Sequence, residues 1–275
     1  MSESKEKFPE VQGGGSLILA WQIKNKHVLV VGGGEVAAGR ILNLLNADAI
    51  VTVICPAAGL NPEVRHRIAH NQVTHIDRKF EPTDLEALPS PATPDSPLGP
   101  PAMVLTAVDD PAASTQIWKL CQAARIPANI ADVPPECDFY FGSVHRDGPL
   151  QIMVSTNGKG PRLAASIRKF IGRSLPVGVG DAIERIGLLR AKLRELEPAV
   201  EEGPKRMRWM IRVSDRYSWD EMCDLSDEDM DNLLRYYKPN KVPDIDVLKA
   251  MRGGAMSPED IEDVFDGSFG FSLGV

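Results

Sequence analysis

Apolar positions follow two rhythms along this chain, and the change between them falls near residue 145. In the first half, short apolar runs alternate with helix-period segments. Lys26-His27-Val28-Leu29-Val30-Val31 is such a run and stops at Gly32-Gly33-Gly34. It is continuous rather than alternating, as expected of a strand covered on both faces of a parallel sheet. Glu35–Asn46 then reads as a helix whose apolar face is Val36, Ile41, Leu42, Leu44 and Leu45. Ala49–Ile54 predicts a second strand, 61–70 a helix and Val73–Ile76 a short third strand. Met103–Ala107 resumes the sheet, Ala112–Arg125 is helical, and Ala128–Ala131 is a further strand. This alternation predicts an α/β fold, a doubly wound parallel sheet with helices on both faces.

Around that core the pattern is less regular. Residues 1–15 are polar and end in three glycines, which predicts a disordered tail, and 16–23 (SLILAWQI) predicts a lead-in strand or turn. The stretch 88–101 holds six prolines and reads as a loop insertion, because proline fits neither helix interiors nor central strands. Residues 139–144 and 149–155 predict an antiparallel pair about the turn Arg146-Asp147-Gly148, with a domain boundary near 145. Beyond 160 the chain reads as helical, in segments 161–173, 179–196, 204–213, 226–237 and 257–265.

Composition narrows the classes. The net charge of -7 argues against a nucleic-acid partner, while leaving room for an anionic ligand at a local basic patch. Cys55, Cys121, Cys137 and Cys223 are scattered without a CxxC pair, so neither a zinc site nor a disulfide framework is expected, and no resident metal. The first residues lack the apolar core of a signal peptide, and no run reaches the length of a membrane span. A cytoplasmic location without a membrane partner is the expectation.

Gly32-Gly33-Gly34-Glu35-Val36-Ala37 fits GxGxxA, directly after a strand and at the opening of a helix. In that pattern the first glycine makes the tight turn and the next lets backbone approach a pyrophosphate. The alanine permits close helix–sheet packing. Free N–H groups at the helix start favour the phosphates. An ordinary strand–helix turn would use the same glycines, but another strand follows at the spacing of a Rossmann domain. The second strand ends Ile54-Cys55-Pro56, with neither the acidic residue that usually meets the ribose nor an arginine for a 2′-phosphate. NAD is therefore expected over NADP. Cys55 reads as a packed strand-end residue.

Ligands in such folds lie beyond the carboxyl ends of the strands. Asp109, Asp110 and Asp132 follow two of those ends. Asp109 and Asp110, just before Pro111, read as a turn and helix cap. Asp132, before Pro134, is open to a turn role as well, but its place at a strand end beside Phe139-Tyr140-Phe141 makes it the better catalytic candidate. Ser155-Thr156-Asn157-Gly158-Lys159-Gly160-Pro161-Arg162 leads into a helix on which Arg162, Lys169 and Arg173 share one face, with Arg168 on another. That face either is simply solvated or holds a carboxylate-rich ligand. His66 and His70 lie four apart, but without the HExxH pattern they read as surface histidines.

Three of these segments, GGGEVA, NIADVPPECDFYFGS and STNGKGPRLAASIR, together resemble the fungal siroheme-synthesis enzymes. That family is a bifunctional precorrin-2 dehydrogenase and sirohydrochlorin ferrochelatase, related to the N-terminal part of bacterial siroheme synthase. The resemblance runs in order across residues 16–175. It implies NAD-dependent oxidation of precorrin-2 to sirohydrochlorin, then insertion of Fe²⁺, a substrate rather than a resident metal, to give siroheme. It implies a homodimer with a Rossmann domain over 16–145, a dimerisation region over 146–203 and a helical C-terminal region over 204–275. The family's catalytic aspartate falls on Asp132, and its cofactor loop on Gly32, Gly33, Gly34, Glu35 and Val36. Pro56 and Ala57 lie near the adenosine end, and Thr106 and Ala107 are counted with the cofactor site. The carboxylates of a tetrapyrrole substrate make Asn157, Lys159, Arg162, Lys169 and Arg173 candidate ligands. A buried or partly desolvated Asp132 would accept a proton during oxidation, and during metal insertion would take pyrrole protons or guide the cation. This chain departs from the family in its proline-rich insertion and its C-terminal helices. Two other readings stand beside this one: a dehydrogenase without chelatase activity, and a non-enzymatic NAD-sensing module.

Overall fold

The computed structural model describes residues 13–87 and 99–254, and the chain divides into one unit up to Phe141 and a second from Gly142. Most of the proline-rich stretch and the helix expected at 257–265 lie outside the described residues, as does the greater part of the expected tail.

In the first unit, β1 (His27–Val31), β2 (Ile50–Ile54), β3 (Thr74–Ile76), β4 (Met103–Thr106) and β5 (Ala128–Ile130) form one sheet in the order β3-β2-β1-β4-β5. Every neighbouring pair is parallel. α1 (Glu35–Leu45), α2 (Pro62–Ala69) and α3 (Pro111–Ala124) make the crossovers. Successive side chains of a strand point to opposite faces, and here both faces are covered. Val28 and Val30 belong to one core with Ala37, Ala38, Ile41 and Val64, whereas Leu29 and Val31 belong to another with Ile117 and Cys121. Each such side chain contributes roughly 1.5–3 kcal/mol on burial, which is why the β1 run contains almost no polar residue.

Two expectations shift. The buried stripe of α1 is Ala37, Ala38, Ile41 and Leu44, while Val36 and Leu42 are exposed. The alanines let the helix axis approach the sheet, with Ile41 and Leu44 inserted beside them and Val36 and Leu42 left outside. Residues 16–23 form no strand; Leu17, Ile18 and Leu19 are exposed and only Ile23 enters the core.

In the second unit, β6 (Ser143–Asp147) and β7 (Leu150–Val154) pair antiparallel, with Asp147 opposite Leu150. The tip is therefore Gly148-Pro149, and the first strand starts later than 139. The preceding residues are already engaged: Asp138 N donates to the Ala128 carbonyl at 2.9 Å, the Asp138 carboxylate accepts from Ala128 N at 2.8 Å, and Asn129 Nδ2 donates to the Phe139 carbonyl at 2.7 Å. Those bonds hold 137–139 against β5 and postpone the hairpin.

α4 (Pro161–Ser174), α5 (Val179–Leu196), α6 (Gly203–Arg216), α7 (Trp219–Cys223), α8 (Asp227–Arg235) and α9 (Ile245–Ala250) follow. α7 and α9 were not expected; each spans too few residues to display a helical period. Ser218 and Glu221 close a capping box on α7, and Ser226 and Asp229 close one on α8. Leu189, Leu193, Trp209, Val213, Leu233 and Tyr237 form the core of this bundle. At its far end Arg252 grips the buried Asp229 carboxylate through Nε at 2.9 Å and Nη2 at 2.7 Å. At its near end Gly180 N donates to Asp147 Oδ2 at 3.0 Å, and a Cβ on Gly180 would fall 2.5 Å from the Asp147 carbonyl oxygen. Among the described residues no helix is long and apolar enough to cross a membrane.

Candidate functional site

Strand order reverses between β1 and β4, and the crevice beyond their carboxyl ends is where open α/β sheets bind ligands. The glycine turn stands there. Gly32 has φ +112°, a left-handed conformation that side chains resist, and a Cβ on it would meet the Ala107 carbonyl oxygen at 2.1 Å. Gly32 N donates to the Ile54 carbonyl at 2.9 Å, and Ala107 N donates to that of Val31 at 2.8 Å. A Cβ on Gly33 would stand 3.0 Å from Cys55 Sγ and 3.3 Å from the Gly59 carbonyl oxygen. Gly34 differs. It caps α1 without a side chain, and a Cβ there would meet nothing within 4 Å among the described residues. The opening N–H groups of α1 thus border open space, the condition for seating a diphosphate.

The other cofactor candidates occupy distinct places. Glu35 and Val36 are exposed on the first turn of α1, and Pro56 and Ala57 are exposed beyond β2, where Ala57–Gly59 makes a single 3-10 turn. Ala107 is half-buried against Gly32. Thr106 is fully buried, and its hydroxyl has no hydrogen-bond partner among the described residues. Cys55 is buried, its thiol pKa raised by that burial and by the charge of Asp77, which agrees with a packed strand-end residue.

Asp132 occupies the turn immediately after β5, with φ +60°. Of the two surroundings expected for it, burial or partial desolvation, the structure does not show burial: the side chain is exposed. Its neighbourhood contains a cation that sequence reasoning missed. Arg40, on α1, donates through Nη1 to the Thr106 carbonyl at 3.0 Å and to the Asn129 carbonyl at 3.4 Å, tying the ends of β4 and β5 together. Burial lowers the Arg40 pKa, and Cys137 and Asp132 oppose that shift. Asp110 caps α3, accepting from Ala113 N at 3.1 Å. His66 and His70 are both exposed, His70 Nδ1 lying 2.8 Å from the His66 carbonyl oxygen.

The second unit carries the basic candidates. Asn157 has φ +52° in the loop before α4, and Gly160 N donates to Thr156 Oγ1 at 3.2 Å. Lys159, Arg162, Lys169 and Arg173 are exposed and make no ion pair among the described residues. Arg168 faces elsewhere, donating to Ser143 Oγ at 3.0 Å. Beside the basic face Leu163, Ile167 and Phe170 form an exposed apolar stripe. A groove between α5 and α6, lined by Ile186, Leu193, Met207 and Met210 among others, includes none of the predicted site residues.

Comparison with known proteins adds to this geometry. A family model described as putative NAD(P)-binding matches residues 19–143, and models of the sirohaem biosynthesis protein match 147–174 (central) and 176–243 (C-terminal). The siroheme biosynthesis protein met8 of Schizosaccharomyces pombe is 53% identical over 237 residues, which are 86% of this chain and 85% of that protein. The chain belongs to the siroheme biosynthesis protein family. Bacterial siroheme synthases are more distant relatives of this family member: that of Thioalkalivibrio sulfidiphilus is 32% identical over 66% of this chain, and siroheme synthase 1 of Serratia proteamaculans 29% over 71%. The matches span 34% and 38% of those longer bacterial proteins. Among solved structures, SirC, a precorrin-2 dehydrogenase, superposes with a TM-score of 0.58 at 18% identity, covering 82% of this chain and 100% of SirC. At that identity the likeness speaks for the fold.

Proposed function

We propose that this chain is an NAD-dependent precorrin-2 dehydrogenase that releases sirohydrochlorin and then inserts ferrous iron to form siroheme. The observation that carries the reading is the glycine turn at the sheet's switch point, with Asp132 at the end of a strand on the same edge of the sheet. Family membership supports the substrate, since a 53% identical relative is named for siroheme biosynthesis.

In this reading Gly32, Gly33 and Gly34 bring backbone against a diphosphate, and the first turn of α1, with Glu35 and Val36, completes that seat. NAD⁺ supplies the hydride acceptor. Pro56 and Ala57 border the adenosine end, and Thr106 and Ala107 floor the crevice. The Asp132 carboxylate accepts the proton that precorrin-2 gives up on oxidation, and it accepts pyrrole N–H protons when iron enters. Asn157, Lys159, Arg162, Lys169 and Arg173 hold the tetrapyrrole's carboxylates. The protein works in the cytoplasm and as a homodimer, and the dimer is supported by the apolar stripe Leu163, Ile167 and Phe170 and by a two-stranded sheet whose outer edges lack partner strands among the described residues.

An anaerobic assay tests both activities. Absorbance is expected to follow precorrin-2 oxidation only when NAD⁺ is present, and iron insertion into sirohydrochlorin is expected to exceed the protein-free rate. Iron insertion at the protein-free rate, with oxidation intact, would leave a dehydrogenase alone. A lack of any NAD⁺-dependent oxidation would remove the whole reading.

A further inference from the structure

The tip of β2, Ile54-Cys55-Pro56-Ala57, carries no carboxylate, although this is where a Rossmann domain ordinarily places one for the adenosine ribose. The next strand supplies it. Ile76 pairs with Ile54 in the parallel register, so Asp77 is the first residue beyond β3 and comes out beside the end of β2. Asp77 Oδ1 accepts from Ala57 N at 2.7 Å. Its charge is also felt at the Cys55 thiol.

The turn that Asp77 holds leans on the glycine turn. Asn61 N donates to the Gly33 carbonyl at 2.8 Å, and a Cβ on Gly33 would stand 3.3 Å from the Gly59 carbonyl oxygen. Residues 57–61 therefore border the phosphate seat, with Asp77 behind them. Asp77 is exposed, and its second carboxylate oxygen has no partner among the described residues.

Opposite charges flank this turn. Arg65, from α2, donates through Nε to the Leu60 carbonyl at 3.0 Å and through Nη2 to the Ala57 carbonyl at 3.3 Å. Arg78, the next residue after Asp77, is engaged by Asp84 in two bonds of 2.6 and 2.8 Å. The cations near the turn are thus occupied by protein acceptors, whereas the carboxylate keeps an oxygen to offer. A ribose hydroxyl is a donor suited to that oxygen. A 2′-phosphate in its place would bring like charges together and would have to draw Arg65 off two carbonyls.

We infer that Asp77 is the specificity-determining residue at the adenosine end, receiving a ribose hydroxyl and favouring NAD⁺ over NADP⁺. The inference rests on the dehydrogenase reading but is tested by binding rather than turnover. Calorimetry on the full chain compares NAD⁺ with NADP⁺ for the wild type, Asp77→Asn and Asp77→Asn with Arg65→Gln. Asparagine keeps an acceptor for Ala57 N, so the turn and the melting temperature are retained. Asp77→Asn is expected to weaken NAD⁺ binding about tenfold, the scale of one charge-assisted hydrogen bond, while NADP⁺ binding holds or improves. The added Arg65→Gln removes that NADP⁺ tolerance. Equal weakening of both dinucleotides marks Asp77 as a support of the turn alone and overturns the inference, as does unchanged NAD⁺ affinity. A wild type that binds neither dinucleotide instead removes the dehydrogenase reading, and this inference with it.

Discussion

The Cβ that Gly32 lacks would stand 2.1 Å from the carbonyl oxygen of Ala107, closer than any two such atoms approach. Gly32→Ala is therefore expected to destabilise the first unit by about 3 kcal/mol, through strain at positive φ and displacement of β4. Gly34→Ala separates folding from binding, because the added methyl meets no atom of the described residues within 4 Å. Its stability is expected to stay within about 0.5 kcal/mol of wild type, while NAD⁺ affinity falls tenfold or more (roughly 1.4 kcal/mol). Thermal melts and calorimetry on the two variants check the contrast; equal NAD⁺ affinity in Gly34→Ala would remove the diphosphate from this turn.

Asp132→Asn tests the proton acceptor without disturbing the turn, since asparagine tolerates the left-handed φ of +60° that alanine resists. Dehydrogenation is expected to fall by about 10²–10⁴-fold with the melting temperature unchanged. Wild-type turnover in this variant would take Asp132 out of the mechanism.

Arg40→Met keeps the apolar stem and removes the donors to the Thr106 and Asn129 carbonyls. A loss of about 1–2 kcal/mol is expected, with reduced turnover because the turn bearing Asp132 is less firmly placed. A melt identical to wild type would show that those two bonds add nothing.

Asp229 gives the second unit a defined acid limit. Burial raises its pKa, but the bonds from Arg252 and Ser226 outweigh that effect and bring it down to about 2. A carboxylate whose pKa is depressed on folding contributes stability above its unfolded value of about 3.9, and that contribution is lost as pH falls through the folded value. The melting temperature of the full chain is thus expected to drop between about pH 4 and pH 2. Asp229→Asn, less stable at pH 7 by about 2 kcal/mol, is expected to show a flatter profile there. Parallel profiles for the two proteins would locate acid sensitivity elsewhere.

Phe170 is 72% exposed on the stripe with Leu163 and Ile167, an unusual place for a phenylalanine in a lone chain. Phe170→Glu is expected to convert the proposed homodimer into a monomer in light scattering, with its helix content retained. A wild type that is monomeric at micromolar concentration contradicts the dimer.

The sheet was legible because its strands are unbroken apolar runs. Val28 to Val31 are all essentially inaccessible, so any polar substitute there would be costly, and the pattern survives in the sequence. The glycine turn was legible for the related reason that Gly32 has no substitute at its backbone angle. Arg40, Arg65 and Asp77 were not, because each reaches the site across the fold rather than along the chain. Asp77 is adjacent to Ala57 only through the register of β2 with β3. The exposure of Val36 and Leu42 was hidden for a different reason: Ala37 and Ala38 decide how near α1 lies to the sheet, and small residues hardly register in an apolar count. Asp132 was found from its strand end, but no sequence signal states whether a turn folds under or projects.

The joint between the β6–β7 tip and the start of α5 has a practical corollary. A side-chain carbon on Gly148 would touch the backbone of Gly180 at 3.6 Å, and one on Gly180 would collide with Asp147. Hairpin tips are the usual site for an inserted epitope or fluorophore, and the usual place for length to drift between relatives. Here the tip is a hinge pin inside the unit, so its length is set by the helix crossing it.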